Sequence, residues 1–224
     1  MGLFGDRKKQ VIEQEKQAQQ PPAKKGARKT EQPPLHDDKF LSATLALNLD
    51  LKRLSNLKGT PKKVEYKKGV LPEYDEVIQQ WIESGDNTQF DVFVYFMIWL
   101  FDVGDYEKAL ALALVGIERD QVLPERFKRR DIQTFVCDEL LKAYEANSEV
   151  KTQFDFALDK ISNDQWDVPD EVRVKFYKRM ANDLFEENPA DALTWLEKVK
   201  QVDPTARVDT NINKLEARIA KAEE

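Results

Sequence analysis

The sequence predicts an all-α protein: helical hairpins packed in one compact domain, preceded by a basic disordered arm and an amphipathic helix. Three observations support this fold class. Apolar residues recur at spacings of three and four along most of the chain, as on one face of a helix. Hydrophobic residues make up 41% of the 224, enough to bury a core. A single run of apolar residues resembles a buried strand, and no second clear strand is present to pair with it.

Residues 1–36 are predicted to be a disordered basic arm. The segment is rich in Gln and Lys, contains the runs PPAKKGARKT and EQPP, and has almost nothing apolar between Ile12 and Leu35. It is either a solvated tail or a flexible arm that contacts phosphates. The candidate DNA-binding residues in it are Lys24, Lys25, Arg28 and Lys29.

Residues 37–70 are predicted to form an amphipathic helix followed by a basic connector. Asp37 or Asp38 can cap the start of the helix, and Gly59 followed by Pro61 ends it. A stripe of alternating four- and three-residue spacing lies along the helix, and Leu41, Leu45 and Leu49 widen it. Such a face must dock on the chain's own body or on a neighbouring subunit. The candidate oligomerisation residues are Phe40, Leu47, Leu51 and Leu54.

The connector is a cluster of lysines interrupted by Pro61 and Gly69. It is either a solvated loop or a surface that follows a phosphate backbone. Together with two basic residues at the end of the preceding helix, the candidate DNA-binding residues here are Lys52, Arg53, Lys58, Lys62, Lys63, Lys67 and Lys68.

Residues 71–224 are predicted to be a helical body for assembly and partner contact. The segment VFVYFMIWLF at 92–101 is interpreted as a central helix that is apolar on all sides. Hairpins around Gly104 and around Pro189 carry small residues, Ala109 and Ala192, where helices approach closely; this is similar to tetratricopeptide-type packing, without its regular period. The predicted helices are 73–83, 88–101, 105–120, 131–147, 150–161, 170–187, 189–201 and 205–222.

A basic loop, LPERFKRRD, interrupts this body. It either meets DNA or an acidic partner, or caps the carboxyl end of helix 105–120, where positive charge is favourable. The candidate partner-binding residues are Arg126, Lys128, Arg129 and Arg130.

Charge and rare residues exclude several classes of protein. Residues 1–70 hold sixteen Lys/Arg against eight Asp/Glu, a net charge of +8, whereas residues 71–224 carry −14. The division suggests two surfaces with different partners. One cysteine, Cys137, and one histidine, His36, form neither a disulfide scaffold nor a zinc site.

Other features argue against catalysis and against a membrane protein. No glycine-rich phosphate loop is present, and the many carboxylates form no distinct catalytic set. We therefore expect no catalytic residues, no metal and no cofactor. The longest uncharged apolar run has ten residues, short of the ~20 that a membrane span needs. The start MGLFGD lacks the apolar core of a secretory signal, so an intracellular protein is expected.

The order of motifs over roughly residues 60–220 resembles a known family. The resemblance rests on Met97-x-Trp99 before Asp102-x-Gly104-Asp105, then Ala109-Leu110 and Ala113, the Leu123-Pro124 turn with its basic loop, Glu139, the helix start Pro169-Asp170-Glu171-Val172-Arg173 with Lys175 and Lys178, and Asp191-Ala192-Leu193 with Leu196. These features are similar to the small terminase subunit of peduovirus-type tailed phages, the gene M product family.

The resemblance implies a non-catalytic subunit that recognises the cohesive-end packaging site on concatemeric double-stranded phage DNA in the cytoplasm of the bacterial host. It implies a ring-like homo-oligomer and a large terminase subunit, holding the ATPase and nuclease centres, as partner. Some relatives carry a basic tail after the last helix, whereas this chain ends in Lys221, Ala222, Glu223 and Glu224. Two alternatives stay open: a helical scaffold that binds only proteins, and a subunit with its own endonuclease activity.

Overall fold

Every regular element in the described part of the chain is a helix, which confirms the all-α prediction. The computed structural model describes residues 38–127, 131–146 and 148–222. A short 3₁₀ turn, Ser148–Val150, precedes the sixth helix. The helices are α1 Asp38–Asn56, α2 Thr60–Ser84, α3 Asp91–Val103, α4 Tyr106–Glu118, α5 Ile132–Ala146, α6 Lys151–Ser162, α7 Asp170–Leu184, α8 Pro189–Val202 and α9 Asp209–Ala222.

The apolar helix α3 lies at the centre of one half of the body. All residues from 92 to 101 are buried, as expected for a helix that neighbours cover on every side. Helices α1, α2 and α4 pack around it. Trp81 of α2 packs against Phe93 in a tilted arrangement with ring centroids 4.6 Å apart, and Phe90 at the start of α3 completes the same cluster. The strand-like composition of this segment is therefore accommodated in a helix by complete burial.

Helices α1 and α2 run antiparallel as a hairpin. Near the start of α1, Lys39 pairs with Glu76 late in α2, and further along α1, Asp50 pairs with Tyr66 early in α2. The turn between the helices is made by Gly59, whose φ of 89° is in the left-handed region that favours glycine. The predicted helix end before Gly59 is confirmed.

The structure corrects the predicted basic connector and the helix start at residue 73. Residues 60–69 are the first turns of α2, so the lysines lie on a helix and not in a loop. Pro61 occupies the first turn, where its missing N–H costs nothing. Pro72 lies inside the helix, which continues for three further turns on a face that buries Tyr74, Val77 and Trp81. The free energy gained by burying that face exceeds the cost of having a proline and a glycine within the helix.

Two predicted hairpins are confirmed. Gly104, with a φ of 87°, joins α3 to α4, and Asp105 caps α4 by accepting a hydrogen bond from the N–H of Lys108. Asn188 and Pro189 start α8, which packs closely against α7. The small residues on both return helices, Ala109 and Ala192, are fully buried.

Three arginines link the ends of helices to later parts of the chain by hydrogen bonds. Arg119 donates to the main-chain carbonyls of Trp81, Ile82 and Asp86 at the end of α2. Arg173 donates to the carbonyl of Ile161 at the end of α6, and Arg218 to that of Phe185 at the end of α7. A guanidinium at a helix C-terminus satisfies carbonyls that lack an intrahelical partner and offsets the negative end of the dipole.

Candidate nucleic-acid interface

The fold gathers the predicted basic residues of 52–68 at one end of the α1–α2 hairpin, which we call the basic corner. Lys52 and Arg53 lie in the last turns of α1, Lys58 lies in the turn, and four further lysines lie in the first turns of α2. Because the two helices are antiparallel, the end of α1 and the start of α2 are side by side. Residues that are well separated in sequence therefore contribute to one surface.

The positive charge of the corner comes from its basic side chains. The first turn of α2 contains no acidic residue to neutralise them. The helix dipoles add little, because the positive end of α2 lies beside the negative end of α1. The sequence forms this arrangement because Gly59 permits the tight turn and Pro61 starts α2 at once.

The candidate residues differ in how freely they can reach a ligand. Lys52, Lys58, Lys62 and Lys68 are exposed, and Lys63 is half-buried. Lys67 forms an ion pair with Asp102 at the end of α3, and its side chain is only 13% exposed. We conclude that Lys67 joins α2 to α3 within the body, whereas the four exposed lysines are the ones that can meet a phosphate backbone.

A buried carboxylate fixes the corner to the body. Asp50 is 5% exposed and accepts hydrogen bonds from the hydroxyls of Tyr66, at 2.6 Å, and Tyr74, at 2.7 Å. Arg53 lies 3.5 Å from the same carboxylate and donates to the Tyr66 hydroxyl at 3.3 Å. The ring of Tyr74 packs edge-on against Trp99 of α3. The corner is thus held by a hydrogen-bonded cluster that reaches the central helix.

Burial and the neighbouring carboxylate shift the ionisation of these groups. Burial raises the pKa of Tyr74 far above its usual range, and the hydrogen bond to Asp50 adds to the effect. Burial likewise raises the pKa of Tyr66, again with a contribution from Asp50. The hydrogen bond with Tyr66 raises the pKa of Arg53. Both tyrosines are therefore neutral hydrogen-bond donors to Asp50 at physiological pH.

The predicted oligomerisation stripe of α1 faces the chain's own core. Leu47 and Leu54 are buried, and Phe40 and Leu51 pack against the core, with Phe40 edge-on to Phe90. A contact between subunits through these four residues would require α1 to leave the body. The widening residues of the sequence pattern are the exposed ones: Leu41 at 43%, Leu45 at 59% and Leu49 at 59%.

Of the four predicted partner-binding residues, only Arg126 is described. It is exposed, and its guanidinium lies over the rings of Tyr95, 4.9 Å from the centroid, and Phe127, at 5.1 Å. Lys128, Arg129 and Arg130 lie outside the described residues, as do Lys24, Lys25, Arg28, Lys29 and His36. Their predicted roles stay predictions.

The sequence prediction missed the Asp50 cluster. A signal was present, since Asp50 occupies a core position of the α1 stripe, three residues after Leu47 and four before Leu54. A charged residue on an apolar face calls for buried partners, and tyrosines supply them here. In the described ranges, no group of three His, Cys, Asp or Glu side chains could hold a metal ion. Nor does any helix among those residues have the length and apolar character to cross a membrane.

Comparison with known proteins identifies the class to which this helical chain belongs. The sequence model of the phage small terminase subunit family matches residues 44–171, more than half of the chain. The match includes the whole of the basic corner, helices α2 to α6 and the start of α7. The chain belongs to the phage small terminase subunit family, and the resemblance of its motif order is confirmed.

Two curated phage proteins are similar to it. The terminase, endonuclease subunit of Escherichia phage P2 is 26% identical over 190 residues, covering 82% of this chain and 76% of the P2 protein. The probable terminase, endonuclease subunit of Haemophilus phage HP1 is 26% identical over 151 residues. That match covers 65% of this chain but spans only about half, 53%, of the HP1 protein. No solved structure matches the chain.

Proposed function

We propose that this chain is the non-catalytic, DNA-recognition subunit of a phage terminase. In this proposal it binds the packaging site on double-stranded phage DNA, assembles into a ring-like oligomer and recruits the large terminase subunit that cuts and packages the genome. The observation that carries the DNA-binding part is the basic corner beside an acidic helical body. The names of the P2 and HP1 relatives support a role in terminase action.

The chemistry of the corner suits the DNA backbone more than the base edges. Four of its five exposed basic side chains are flexible lysines, which act as point charges and do not form the planar pairs by which arginine reads guanine. The fifth, Arg53, is engaged with Asp50 and the Tyr66 hydroxyl. Phosphate contacts position a protein on the duplex and release counterions, but they carry little sequence information. We therefore propose that the corner contributes affinity, and that choice among DNA sites needs additional contacts, such as those of the predicted arm.

Assembly would strengthen a contact of this size. Four exposed lysines per subunit make a weak site at physiological salt. Several copies joined in one assembly place their corners on the same duplex at high effective concentration, and the combined affinity rises steeply. The acidic body, with a net charge of −14 over residues 71–224, would repel DNA and so favour docking through the corner.

The salt dependence of binding tests the corner directly. Lys58, Lys62 and Lys68 are changed to Gln together, and the affinity for a duplex carrying the packaging site is measured across a salt series. If each lysine neutralises one phosphate, the slope of log K against log salt should fall by about 0.9 for each, or roughly 2.7 per bound subunit.

A matched control separates location from net charge. Three exposed basic residues elsewhere on the body are changed to Gln, which removes the same formal charge: Lys175, Arg207 and Lys214. We expect the control to keep a slope near that of the unmodified chain. Equal slopes for the corner variant and the unmodified chain would place the DNA contact elsewhere. No DNA binding by the assembled, unmodified chain would favour the protein-only scaffold.

The relatives' names also call for a test of nuclease activity. We propose that cutting belongs to the large subunit and that this chain directs it. Purified chain is incubated with packaging-site DNA and Mg²⁺ or Mn²⁺, alone and with the large subunit. Specific nicking by the chain alone, abolished by substitution of one carboxylate, would contradict the non-catalytic assignment.

A further inference from the structure

Helix α1 has a second apolar face that the body leaves uncovered. The core-facing side carries Leu47 and Leu54, whereas Leu41, Leu45 and Leu49 follow one another at four-residue steps on the opposite side. We call these three residues the α1 leucine stripe. Among the described residues, the large apolar side chains that are exposed are these three and Leu114 at 36%. Exposed apolar side chains are therefore concentrated on α1, which is typical of an interaction surface.

The stripe lies on an uncharged surface with one charge at each end. From Phe40 to Leu49 the helix contains no ionisable side chain, and Asp50, which follows, is turned into the core. The exposed charges that bound the face are Asp38 at the start and Lys52 at the end. A strongly charged partner would bury its charges against this surface without compensation. The surface fits an occupant that is itself apolar at the centre and charged at its ends.

The arrangement is palindromic about Leu45. Asp38 is seven residues before it and Lys52 seven residues after it, while Leu41 and Leu49 are four residues away on either side. On an ideal helix of 3.6 residues per turn, all of these positions lie within about 40° of Leu45. Reversal of the helix direction therefore superimposes leucine on leucine and exchanges the acidic end with the basic end.

We propose that the α1 leucine stripe packs against the same stripe of a second copy of this chain, antiparallel, about a two-fold axis beside Leu45. In this contact Leu45 meets Leu45 of the second copy, Leu41 meets its Leu49, and Asp38 pairs with its Lys52. Lys52 then serves the subunit contact, and the other exposed lysines of the basic corner remain for DNA. The antiparallel arrangement also sets the positive end of each helix dipole beside the negative end of the other. A self-complementary patch of this kind is an isologous interface. The proposal rests on the self-association included in the proposed function and names its surface and symmetry.

The geometry has two consequences for the assembly. The stripe is short compared with the ~800 Å² per partner of a standard interface, so the isolated contact is weak and depends on protein concentration. An isologous contact joins subunits in twos. It cannot by itself generate a ring in which all subunits point the same way, because such rings use head-to-tail contacts. Complete assemblies that use this contact contain an even number of subunits.

Cysteine cross-linking of the full chain distinguishes the antiparallel pair from other arrangements. Leu45→Cys places a thiol on the proposed two-fold axis, where two copies are within reach of a disulfide or a short thiol cross-linker. The native Cys137 is fully buried, and burial raises the pKa of its thiol, so it does not compete. We expect Leu45→Cys to form a covalent dimer, visible on a non-reducing gel.

The control variants fix the direction of the helices. Leu41→Cys alone and Leu49→Cys alone should form little dimer, whereas the double variant should form it readily, because Leu41 meets Leu49 of the second copy. Dimer from each single variant would indicate parallel helices and overturn the proposal. No dimer from Leu45→Cys would also overturn it, and would mean that DNA, the large subunit or nothing covers the stripe.

Native mass measurement separates this inference from the wider proposal. If Leu45→Cys fails to cross-link while the unmodified chain still forms oligomers, the α1 pair is wrong and self-association uses another surface. If the unmodified chain stays monomeric with and without DNA, the self-association part of the proposed function fails as well. Cross-linking together with assemblies of even subunit number would support both.

Discussion

Replacement of Asp50 by Ala should destabilise the protein more than loss of any surface ion pair. The substitution removes an acceptor that is 5% exposed and leaves the hydroxyl of Tyr74, itself 3% exposed, without its partner at 2.7 Å. Hydrogen bonds to a charged group contribute about 1.5–3 kcal/mol, and a buried donor left unsatisfied costs ~1–3 kcal/mol. Tyr66 is only half-buried and can bind water instead. We expect a loss of about 2–4 kcal/mol in the free energy of unfolding.

Urea unfolding, followed by tryptophan fluorescence at fixed protein concentration, measures this loss. A thermal midpoint lower by roughly 5–15 °C should accompany it in a domain of this size. The matched control is Asp75→Ala, which removes a carboxylate that is 52% exposed and pairs with Lys108 at 2.6 Å. Exposed pairs contribute about 0–1 kcal/mol. If Asp50→Ala is no more destabilising than Asp75→Ala, the buried cluster does not hold the hairpin as argued.

Two further predictions concern pH and packing. Because burial raises the pKa of Tyr74, its stabilising effect should be complete below the unfolded value near pH ~10 and decline as pH rises above it, by up to about 1.4 kcal/mol per pH unit. Urea midpoints from pH 8 to 11 measure this, and Tyr74→Phe should show a shallower decline; an equal decline would contradict the assignment. A Cβ on Gly116 would lie 2.8 Å from Ile132 Cδ1 and 3.1 Å from Phe93 Cε1, whereas one on Gly69 meets nothing within 4 Å. Both Gly→Ala substitutions increase helix propensity, but only the one at Gly116 creates a steric clash. We therefore expect the free energy of unfolding of Gly116→Ala to be about 1–3 kcal/mol lower than that of Gly69→Ala. Equal stabilities in urea would show that the side chains around Gly116 move aside without cost.

Periodicity predicted the helices with strong apolar stripes. The central helix α3 and the start of α7 after Pro169 lie where the sequence places them, because burial and local signals agree there. The start of α2 was missed because Pro61, Gly69 and a run of lysines were interpreted as breakers. Lysine is a good helix former, and proline is tolerated in the first turn. The buried face of α2 then determines the outcome, and that burial depends on α3, which is distant in sequence.

The candidate site was predicted in composition but not in geometry. The sequence identified the lysines of the basic corner, yet it could not separate Lys67, paired with Asp102, from the exposed ones. The charge of a side chain follows from the residue type, whereas its ion-pair partner is determined by tertiary contacts. Similarly, the pattern assigned all apolar residues of α1 to one wide face. Only the packed structure distinguishes Leu47, which is buried, from Leu45, which is not.

Three arginines of the body bind main-chain carbonyls at helix ends, which changes how many of its basic residues can bind a partner. Arg119, Arg173 and Arg218 direct their N–H groups at main-chain carbonyls. Guanidinium N–H groups that are already hydrogen-bonded to the main chain are unavailable to a nucleic acid. Fewer cationic groups can therefore bind a polyanion than the composition suggests. A lysine at any of the three positions would keep the charge but lose the forked geometry. Such a replacement would weaken the attachment of a helix end but leave the net charge unchanged. Substitutions at these three positions could therefore change the rigidity of the body without changing its charge.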